Sequence, residues 1–262
     1  MNQEERRKYI LGQLQVRSSI SVAELSEALC LSEVSVRKLL TGMEQEGVLK
    51  RTWGGAVSAY GSLREFSHQE NEIRNIAEKR EIAREAYDLI GDGDAVFLDS
   101  GTTTLELARR IVEGPKRNVV ACTNNIRVAL ELAKAEDIRS IIIGGELRTN
   151  IYSCVGYLAQ QVLNGLFFDK SFLSANHFSL ERGFSTPTLG EAELKRKILT
   201  ISKEKYVLID YSKFGDDSMV LIAPPEGVDV LVTDWHVPED VAQGFADRGV
   251  RLVAAGLEKN IL

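Results

Sequence analysis

The sequence predicts an α/β protein with a small N-terminal domain of three helices and a β-hairpin, followed by a larger α/β domain. Two patterns support this fold class. Short helical patterns with clear capping residues occupy the start of the chain, and from Arg74 onward helical patterns alternate with short apolar runs. The length of 262 residues exceeds that of one typical domain. We therefore expect domains at residues 1–57 and 74–262, joined by a polar linker at 58–73.

Three helical patterns make up the N-terminal part. The first covers about Glu4–Gln15. The second begins at Ser21, which has the spacing of a capping box with Glu24, and the third follows a new N-cap at Ser32 and ends near Gly47. Because the second helix is short and only a tight turn separates it from the third, this arrangement predicts a helix-turn-helix.

The third helix has one apolar face and one face suited to DNA. Val36, Leu40 and Met43 recur at helical spacing, whereas the positions between them are basic or hydroxylic. A hairpin pattern around Gly54-Gly55 follows and predicts a wing, which completes a winged helix-turn-helix. The expected contacts to double-stranded operator DNA are Ser32, Ser35, Arg37, Lys38, Thr41, Lys50, Arg51 and Trp53.

The net charge of −6 would by itself argue against a nucleic-acid partner, because DNA binding depends on neutralising phosphates. The charge is unevenly distributed, however. Residues 1–57 contain eight Lys/Arg and seven Asp/Glu, whereas residues 58–262 contain 24 and 31. The acidity therefore belongs to the C-terminal part and does not exclude DNA binding by the N-terminal domain.

Composition also disfavours several other classes of protein. The apolar runs are far shorter than the about 18 residues of a membrane span, and the charged start lacks a signal-peptide pattern. We therefore expect a cytoplasmic protein with no membrane partner. The three cysteines and three histidines are scattered without metal-ligand spacing, so we expect no metal site and no cofactor.

The C-terminal part predicts a mostly parallel sheet covered on both faces by helices. Its apolar runs are continuous rather than alternating, which is typical of strands buried on both sides, and helical patterns separate them. The expected strands are Ala95–Leu98, Val119–Cys122, Ser140–Ile143, Ser171–Leu173, Tyr206–Ile209, Val230–Val232 and Leu252–Val253.

Polar and glycine-rich segments follow several of these strands, where ligands of open α/β sheets bind. The segment Asp99–Thr104 leads into a helix and offers hydroxyls, backbone N–H groups and a helix N-terminus to an anion. Lys213 follows a later strand and supplies positive charge. The expected contacts to a small phosphorylated effector are Asp99, Ser100, Gly101, Thr102, Thr103, Thr104, Thr123, Asn124, Gly144, Gly145, Lys195, Asp210 and Lys213.

These motifs together resemble the DeoR-type transcriptional regulators over nearly the whole chain. In the N-terminal part the resemblance rests on Ser32–Lys38, Glu44–Gly47 and Arg51–Ala56. In the C-terminal part it rests on the segments Gly93-Asp94, Asp99–Thr104, Thr123-Asn124, Gly144-Gly145, Val155-Gly156, Phe168–Lys170, Glu191–Lys195 and Asp210–Gly215. The sequence departs from the family pattern at Leu39, where an acidic residue is common, and at Trp53, where a histidine is usual.

The resemblance implies a sensor domain similar in fold to ribose-5-phosphate isomerase and glucosamine-6-phosphate deaminase. It also implies a repressor of a sugar-catabolic operon, which a phosphorylated sugar releases from DNA without being turned over. We further expect a homo-oligomer, which would hold its winged helices at the spacing of two operator half-sites. Two alternatives remain open from the sequence. One is a sugar-phosphate isomerase or deaminase with Asp99 or Asp210 as its base, against which stand the DNA-binding module and the lack of a His–acid pair. The other is a ligand-dependent activator.

Overall fold

The computed structural model describes residues 1–16, 19–52, 54–58 and 68–256. The chain divides into two compact units, Met1–Arg64 and Glu65–Leu262.

The first unit is a winged helix-turn-helix, as predicted. Its strands form one antiparallel sheet in the order β1-β3-β2, of which β1 is an addition to the predicted hairpin. In chain order its elements are α1 (Gln3–Val16), β1 (Ser19–Ser21), α2 (Val22–Leu29), α3 (Glu33–Gln45), β2 (Leu49–Thr52) and β3 (Gly55–Ser58).

Local capping and a shared core explain these helices. The Ser21 side chain accepts a hydrogen bond from the Glu24 N–H at 3.1 Å, and the Glu24 carboxylate accepts one from the Ser21 N–H at 2.8 Å. This reciprocal pair satisfies N–H groups that the first turn of α2 leaves without helical partners. Leu25, Val36 and Leu40 are fully buried in one cluster, which holds α2 and α3 together.

The second unit is built around a seven-stranded, fully parallel sheet in the order β15-β14-β12-β9-β4-β5-β6. All seven predicted strands occur in it; the strand at Ala95–Leu98 has the predicted ends, and the ends of the other six are shifted. In chain order the elements of this unit are α4 (His68–Ile73), α5 (Ile76–Asp88), β4 (Ala95–Leu98), α6 (Thr102–Glu113), β5 (Val120–Thr123), α7 (Ile126–Leu132), β6 (Arg139–Ile142), β7 (Glu146–Arg148), β8 (Ser153–Val155), α8 (Tyr157–Leu163), β9 (Phe168–Leu173), β10 (His177–Ser179), β11 (Gly183–Thr186), α9 (Leu189–Thr200), β12 (Ser202–Leu208), β13 (Val220–Ala223), β14 (Val230–Asp234), α10 (Glu239–Asp247) and β15 (Arg251–Ala255).

Helices cover both faces of this sheet. Along β4, Phe97 packs in a cluster with residues of α8, α9 and α10, whereas Val96 and Leu98 pack in a second cluster with residues of α5, α6 and α7. Since successive side chains of a strand point to opposite faces, a strand buried in two clusters is apolar at every position. None of the helices in the described ranges has the length and apolar character to cross a membrane.

Two small antiparallel sheets were not predicted. They are the hairpin β7–β8 and the three-stranded sheet β10-β11-β13. Their strands are three or four residues long, and several carry polar side chains. Segments this short and mixed do not produce the apolar runs by which the central strands were recognised.

The prediction of a linker through residue 73 is corrected by α4. This helix contacts α6, and its Glu72 carboxylate forms ion pairs with Arg109 at 2.7 Å and Arg127 at 2.9 Å. A polar stretch that looks like a linker in sequence therefore includes a helix held against the second unit by charge pairs.

Candidate DNA-binding surface and effector cavity

The outer face of α3 presents the predicted DNA contacts to solvent. Ser35, Arg37 and Lys38 are exposed, whereas Val36 and Leu40 are fully buried. Ser32 caps the helix, because its hydroxyl oxygen accepts from the Ser35 N–H at 3.3 Å and lies 2.9 Å from the Ser35 hydroxyl. Burial of the apolar stripe of Val36 and Leu40 thus determines that the polar side chains of α3 face the solvent.

Two of the predicted DNA contacts join the wing to α3. An Arg51 guanidinium N–H donates to the Thr41 hydroxyl at 2.8 Å, and this hydroxyl donates to the Arg37 carbonyl at 2.8 Å. The backbone N–H of Arg51 donates to the Glu44 carboxylate at 2.7 Å. Thr41 and Arg51 therefore hold the angle between helix and wing. Lys50 is exposed on β2, and Trp53 lies outside the described residues.

Sequence reasoning missed two features of this surface. Val34 is 76% exposed on the first turn of α3, an unusual position for a β-branched apolar residue. Arg6 and Arg7 of α1 line a groove together with Ser35 and Lys38. An apolar residue outside the helical stripe was a visible signal for Val34, whereas only the packing of α1 beside α3 brings the two arginines to this surface.

A cavity lies at the carboxyl ends of β4, β9 and β12 in the second unit. It comprises about 600 Å³ of space not filled by protein atoms, part of it open to solvent. Seven of the predicted effector contacts line it, namely Ser100, Gly101, Thr102, Thr103, Lys195, Asp210 and Lys213.

The N-terminus of α6 forms one wall of this cavity. Gly101 is its N-cap and provides no side-chain cap for the first N–H groups of the helix. A Cβ on Gly101 would lie 2.6 Å from the Ser174 side chain, so only glycine fits this close approach. Uncapped N–H groups and the helix dipole make this wall a site for an anion.

Lys195 reaches the cavity as half of a buried ion pair. Its ammonium contacts the Asp99 carboxylate, and the two side chains are 3% and 0% exposed. Burial disfavours the charged form of Asp99, but Lys195 and hydrogen bonds from Ser174 outweigh it and hold its pKa below the usual value. Asp99 is not among the lining residues. Its carboxylate holds Lys195, which does line the cavity, and a contact of Asp99 with the effector stays a prediction.

The opposite wall carries Asp210 and two further cations. The Asp210 carboxylate accepts a hydrogen bond from the Asn75 amide at 2.8 Å. Burial disfavours its ionisation, but nearby Lys213 and Lys79 hold its pKa below normal. Burial in turn lowers the pKa of Lys213 and brings that of Lys79 to about 8. The ammonium groups that line the cavity thus lie close to carboxylates: Lys195 to Asp99, and Lys213 and Lys79 to Asp210.

Five other predicted contacts are not among the residues that line the cavity: three of them are buried elsewhere, and two are exposed glycines of a turn. The hairpin β7–β8 closes over the end of β5, where the Asn124 amide donates to the Cys154 carbonyl at 3.1 Å. A Cβ on Gly145 would meet the Val155 carbonyl at 2.5 Å, so this turn packs against β8. Thr104 donates to the carbonyls of Asp99 and Gly101 within its own turn. These residues are Thr104, Thr123, Asn124, Gly144 and Gly145, whose contact with the effector stays a prediction.

The structure also adds lining residues that sequence reasoning missed. Ser174 and Asn176 lie within three residues of the end of β9. Because ligands of open α/β sheets bind beyond the carboxyl ends of the strands, the sequence could have pointed to both residues. Glu191 begins a helix and accepts a hydrogen bond from the Ser100 hydroxyl at 3.1 Å. His68, Asn71 and Lys79 come from α4 and α5 and gave no signal in the sequence. The described ranges contain no group of three side chains that could hold a metal ion.

Comparisons with known proteins cover both units. Residues 6–60 match the model of the DeoR-like helix-turn-helix domain, and residues 74–235 match that of the DeoR C-terminal sensor domain. The chain also has a weak likeness to ribose-5-phosphate isomerase A from Methanocaldococcus jannaschii, with a TM-score of 0.40, 20% identity, and coverage of 54% of this chain and 55% of that one.

Two relatives match over nearly their full length. A putative aga operon transcriptional repressor of Escherichia coli O157:H7 is 35% identical over 255 residues, which are 96% of this chain and 94% of that protein. A lactose phosphotransferase system repressor of Staphylococcus aureus N315 is 35% identical over 243 residues, which are 92% and 96%. With its helix-turn-helix unit and its sensor unit both matched, this chain belongs to the DeoR family: it is a DNA-binding transcriptional regulator and not an enzyme.

Proposed function

We propose that the protein represses a sugar-catabolic operon and leaves its operator when a phosphorylated sugar occupies the cavity of the second unit. Both relatives described above carry the name repressor, and one is named for a lactose phosphotransferase system. A ligand shifts such an equilibrium only through unequal affinity for the two conformations of the protein. Occupancy of the cavity must therefore favour the conformation that binds the operator weakly.

The observation that carries this proposal is the anion site at the N-terminus of α6. Uncapped backbone N–H groups there line the same cavity as Lys195 and Lys213. Together with the hydroxyls of Thr102 and Thr103, these groups suit the oxygens of a phosphate. The cavity-lining carboxylates of Asp210 and Glu191 suit the hydroxyls of the attached sugar.

On the DNA side, the exposed groups of α3 and the wing of one protein copy together suit one operator half-site. Arg37, Lys38 and Lys50 are placed to neutralise phosphates, while Ser35 and Val34 lie on the exposed face that would enter the major groove. An exposed valine suits a thymine methyl group. In this proposal Ser32, Thr41 and Arg51 position the reading face, and Trp53 remains a predicted contact.

We propose a homo-oligomer in the cytoplasm, because two half-sites call for two reading units. A second copy would cover the apolar side chains that α8 and the turn after it leave exposed: Tyr157 at 73%, Leu158 at 66%, Val162 at 50% and Phe167 at 67%. Light scattering after size exclusion should give at least a dimer mass, and Leu158→Glu should lower it. A monomeric wild-type protein would contradict this assignment.

We place the boundary between the DNA-binding unit and the sensor unit before α4. A fragment of residues 65–262 should fold and bind effector, whereas a fragment of residues 74–262 loses α4 and the Glu72 ion pairs with Arg109 and Arg127. Thermal melting of both fragments tests this. If the two fragments had equal melting temperatures and equal affinities for the sugar phosphate, the sensor unit would instead begin at residue 74.

The proposed function is tested in two steps. The operator is first selected from a random duplex library with the purified protein, and binding is then followed by fluorescence anisotropy. In parallel, sugar phosphates and their unphosphorylated parents are screened by thermal shift, since a ligand stabilises by RT ln(1 + [L]/Kd). We expect a phosphorylated sugar, and not its parent, to raise the melting temperature and release the DNA. Release by the parent sugar at equal concentration would contradict the proposal.

A further inference from the structure

The side chain of His68 is buried in the cavity wall without a hydrogen bond. The residue is 2% exposed, and neither ring nitrogen has a hydrogen-bond partner among the described residues. The nearest carboxylate, that of Glu72, lies 3.8 Å from Nδ1, beyond hydrogen-bond distance. Burial, assisted by Arg127, lowers the pKa of His68 to about 4, so the ring is neutral at physiological pH. A neutral imidazole has one donor and one acceptor, and leaving both unused in a buried site is costly.

Other contacts hold α4 in place and determine where this ring points. The backbone N–H of His68 donates to the Asn150 carbonyl at 2.8 Å, and the imidazole ring lies edge-on to the Tyr152 ring with 5.9 Å between centroids. The Glu72 carboxylate pairs with Arg109 and Arg127. The imidazole is therefore not needed as a hydrogen-bonding anchor for α4, and its two nitrogens remain available to a molecule in the cavity.

Lys79 connects the same cavity to the other end of α4. Its side chain is 3% exposed, lines the cavity, and donates to the carbonyls of Asn71 and Arg74, at the C-terminal end of the helix. An ammonium group has three donors, so one is left for an anionic ligand. A ligand that engages Lys79 thus acts on the group that completes the hydrogen bonding of α4.

We propose that His68 and Lys79 are effector ligands, His68 through a sugar hydroxyl and Lys79 through an anionic oxygen, so that an occupied cavity fastens α4 to the sensor unit. This inference rests on the proposed function of the cavity. In chain order, α4 is the next described element after the DNA-binding unit. The effector therefore changes how firmly α4 is held to the sensor unit as well as filling the cavity.

The chain contains only three histidines, which permits a direct spectroscopic test. In ¹⁵N-imidazole NMR, each signal is assigned with one His→Gln variant, and inorganic phosphate, ribose 5-phosphate and glucosamine 6-phosphate are titrated in turn. His177 and His236 are not among the cavity-lining residues and serve as internal controls. We expect a sugar phosphate to shift the His68 signals with the midpoint of its thermal stabilisation, while the other two signals stay unchanged.

Variants and hydrogen exchange test the consequence for α4. His68→Leu removes both ring nitrogens, His68→Gln retains a donor and an acceptor, and His177→Leu is the matched control. We expect His68→Leu to weaken ribose 5-phosphate binding by about three- to tenfold, the equivalent of one ordinary buried hydrogen bond, with partial rescue by glutamine. In the wild type, the sugar phosphate should slow amide exchange at residues 68–79, and His68→Leu should lose this protection.

The outcomes separate the two proposals. Stabilisation by sugar phosphates that depends on Thr102 and Lys213, with unmoved His68 signals and unchanged exchange at residues 68–79, overturns the inference and leaves the proposed function standing. If no sugar phosphate of the thermal-shift screen stabilises the protein, the proposed function fails and the inference fails with it. Should His68→Leu not fold, the wild-type titration and exchange measurements still decide.

Discussion

The two units place their ion pairs in opposite surroundings. On α3, Arg37 pairs with Glu33 at 2.9 Å while both side chains stay about half exposed, at 46% and 55%. In the sensor unit, Lys195 pairs with Asp99 at 3% and 0% exposure. The exposed arginine can exchange its partner for a DNA phosphate at little cost, whereas the buried lysine is fixed in position by its carboxylate. The DNA surface is therefore adaptable, and the cavity is preorganised.

The largest expected effect comes from breaking the buried pair. Asp99→Asn leaves the Lys195 ammonium buried without its counter-charge, which should lower the free energy of unfolding of the sensor unit by about 3–5 kcal/mol. Glu33→Gln breaks the exposed pair and should cost about 0–1 kcal/mol. Calorimetric melting of both variants measures the contrast. Similar losses in the two would remove the distinction between the units.

A second prediction concerns acidification of the sensor unit. His68 has a pKa of about 4 in the folded state, against about 6.5 when unfolded, so the unfolded chain binds the extra proton between these values. The contribution of His68 to stability should therefore be constant above about pH 6.5 and fall by roughly 3 kcal/mol on the way to pH 4. His68→Gln should flatten this part of the curve, and His236→Gln, at a half-exposed histidine, is the comparison. Urea denaturation at several pH values provides the measurement, and parallel curves for wild type and His68→Gln would contradict it.

The third prediction addresses the preorganised cavity itself. Lys213→Ala and Thr102→Val should each weaken sugar-phosphate binding by roughly 1.5–3 kcal/mol, or about ten- to a hundredfold, because each loses a charge-assisted hydrogen bond to the phosphate. Operator affinity should stay near that of the wild type in both variants, and the melting temperature should stay near it in Thr102→Val, whereas Lys213→Ala also removes a counter-charge of the buried Asp210. Titration calorimetry together with anisotropy distinguishes this from general damage, which would lower all three quantities. A normal response from Lys213→Ala would exclude that lysine from the site.

The smallest expected effect is on the adaptable surface. Arg37→Ala and Lys38→Ala should each weaken operator binding and reduce the slope of log K against log salt by about one, since each removes a phosphate contact. Lys8→Ala is the matched control, because Lys8 is an exposed lysine of α1 that pairs only with Glu4 among the described residues. Anisotropy at several salt concentrations gives both quantities. Unchanged slopes in both variants would mean that α3 does not contact the DNA backbone.

The exposed surface was the easier of the two to predict from the sequence. Ser35, Arg37 and Lys38 are separated by one or two positions on a single helix, so the apolar stripe of Val36 and Leu40 is enough to place them outward. The cradle at Ser100–Thr103 was accessible for the same reason, since a strand end and a helix start are adjacent in the chain. Local periodicity alone carries this information.

The sequence by itself therefore determined both domain folds, all seven central strands, and the positions of the proposed reading helix and the proposed phosphate cradle, because each depends on residues that are close in the chain. Only the tertiary structure decided which strand ends stay open. The hairpin β7–β8 covers Asn124, while α4 brings His68 to the cavity. The pair of Asp99 and Lys195 joins residues 96 positions apart. Burial and pairing at such separations arise from packing between elements, which no local pattern records.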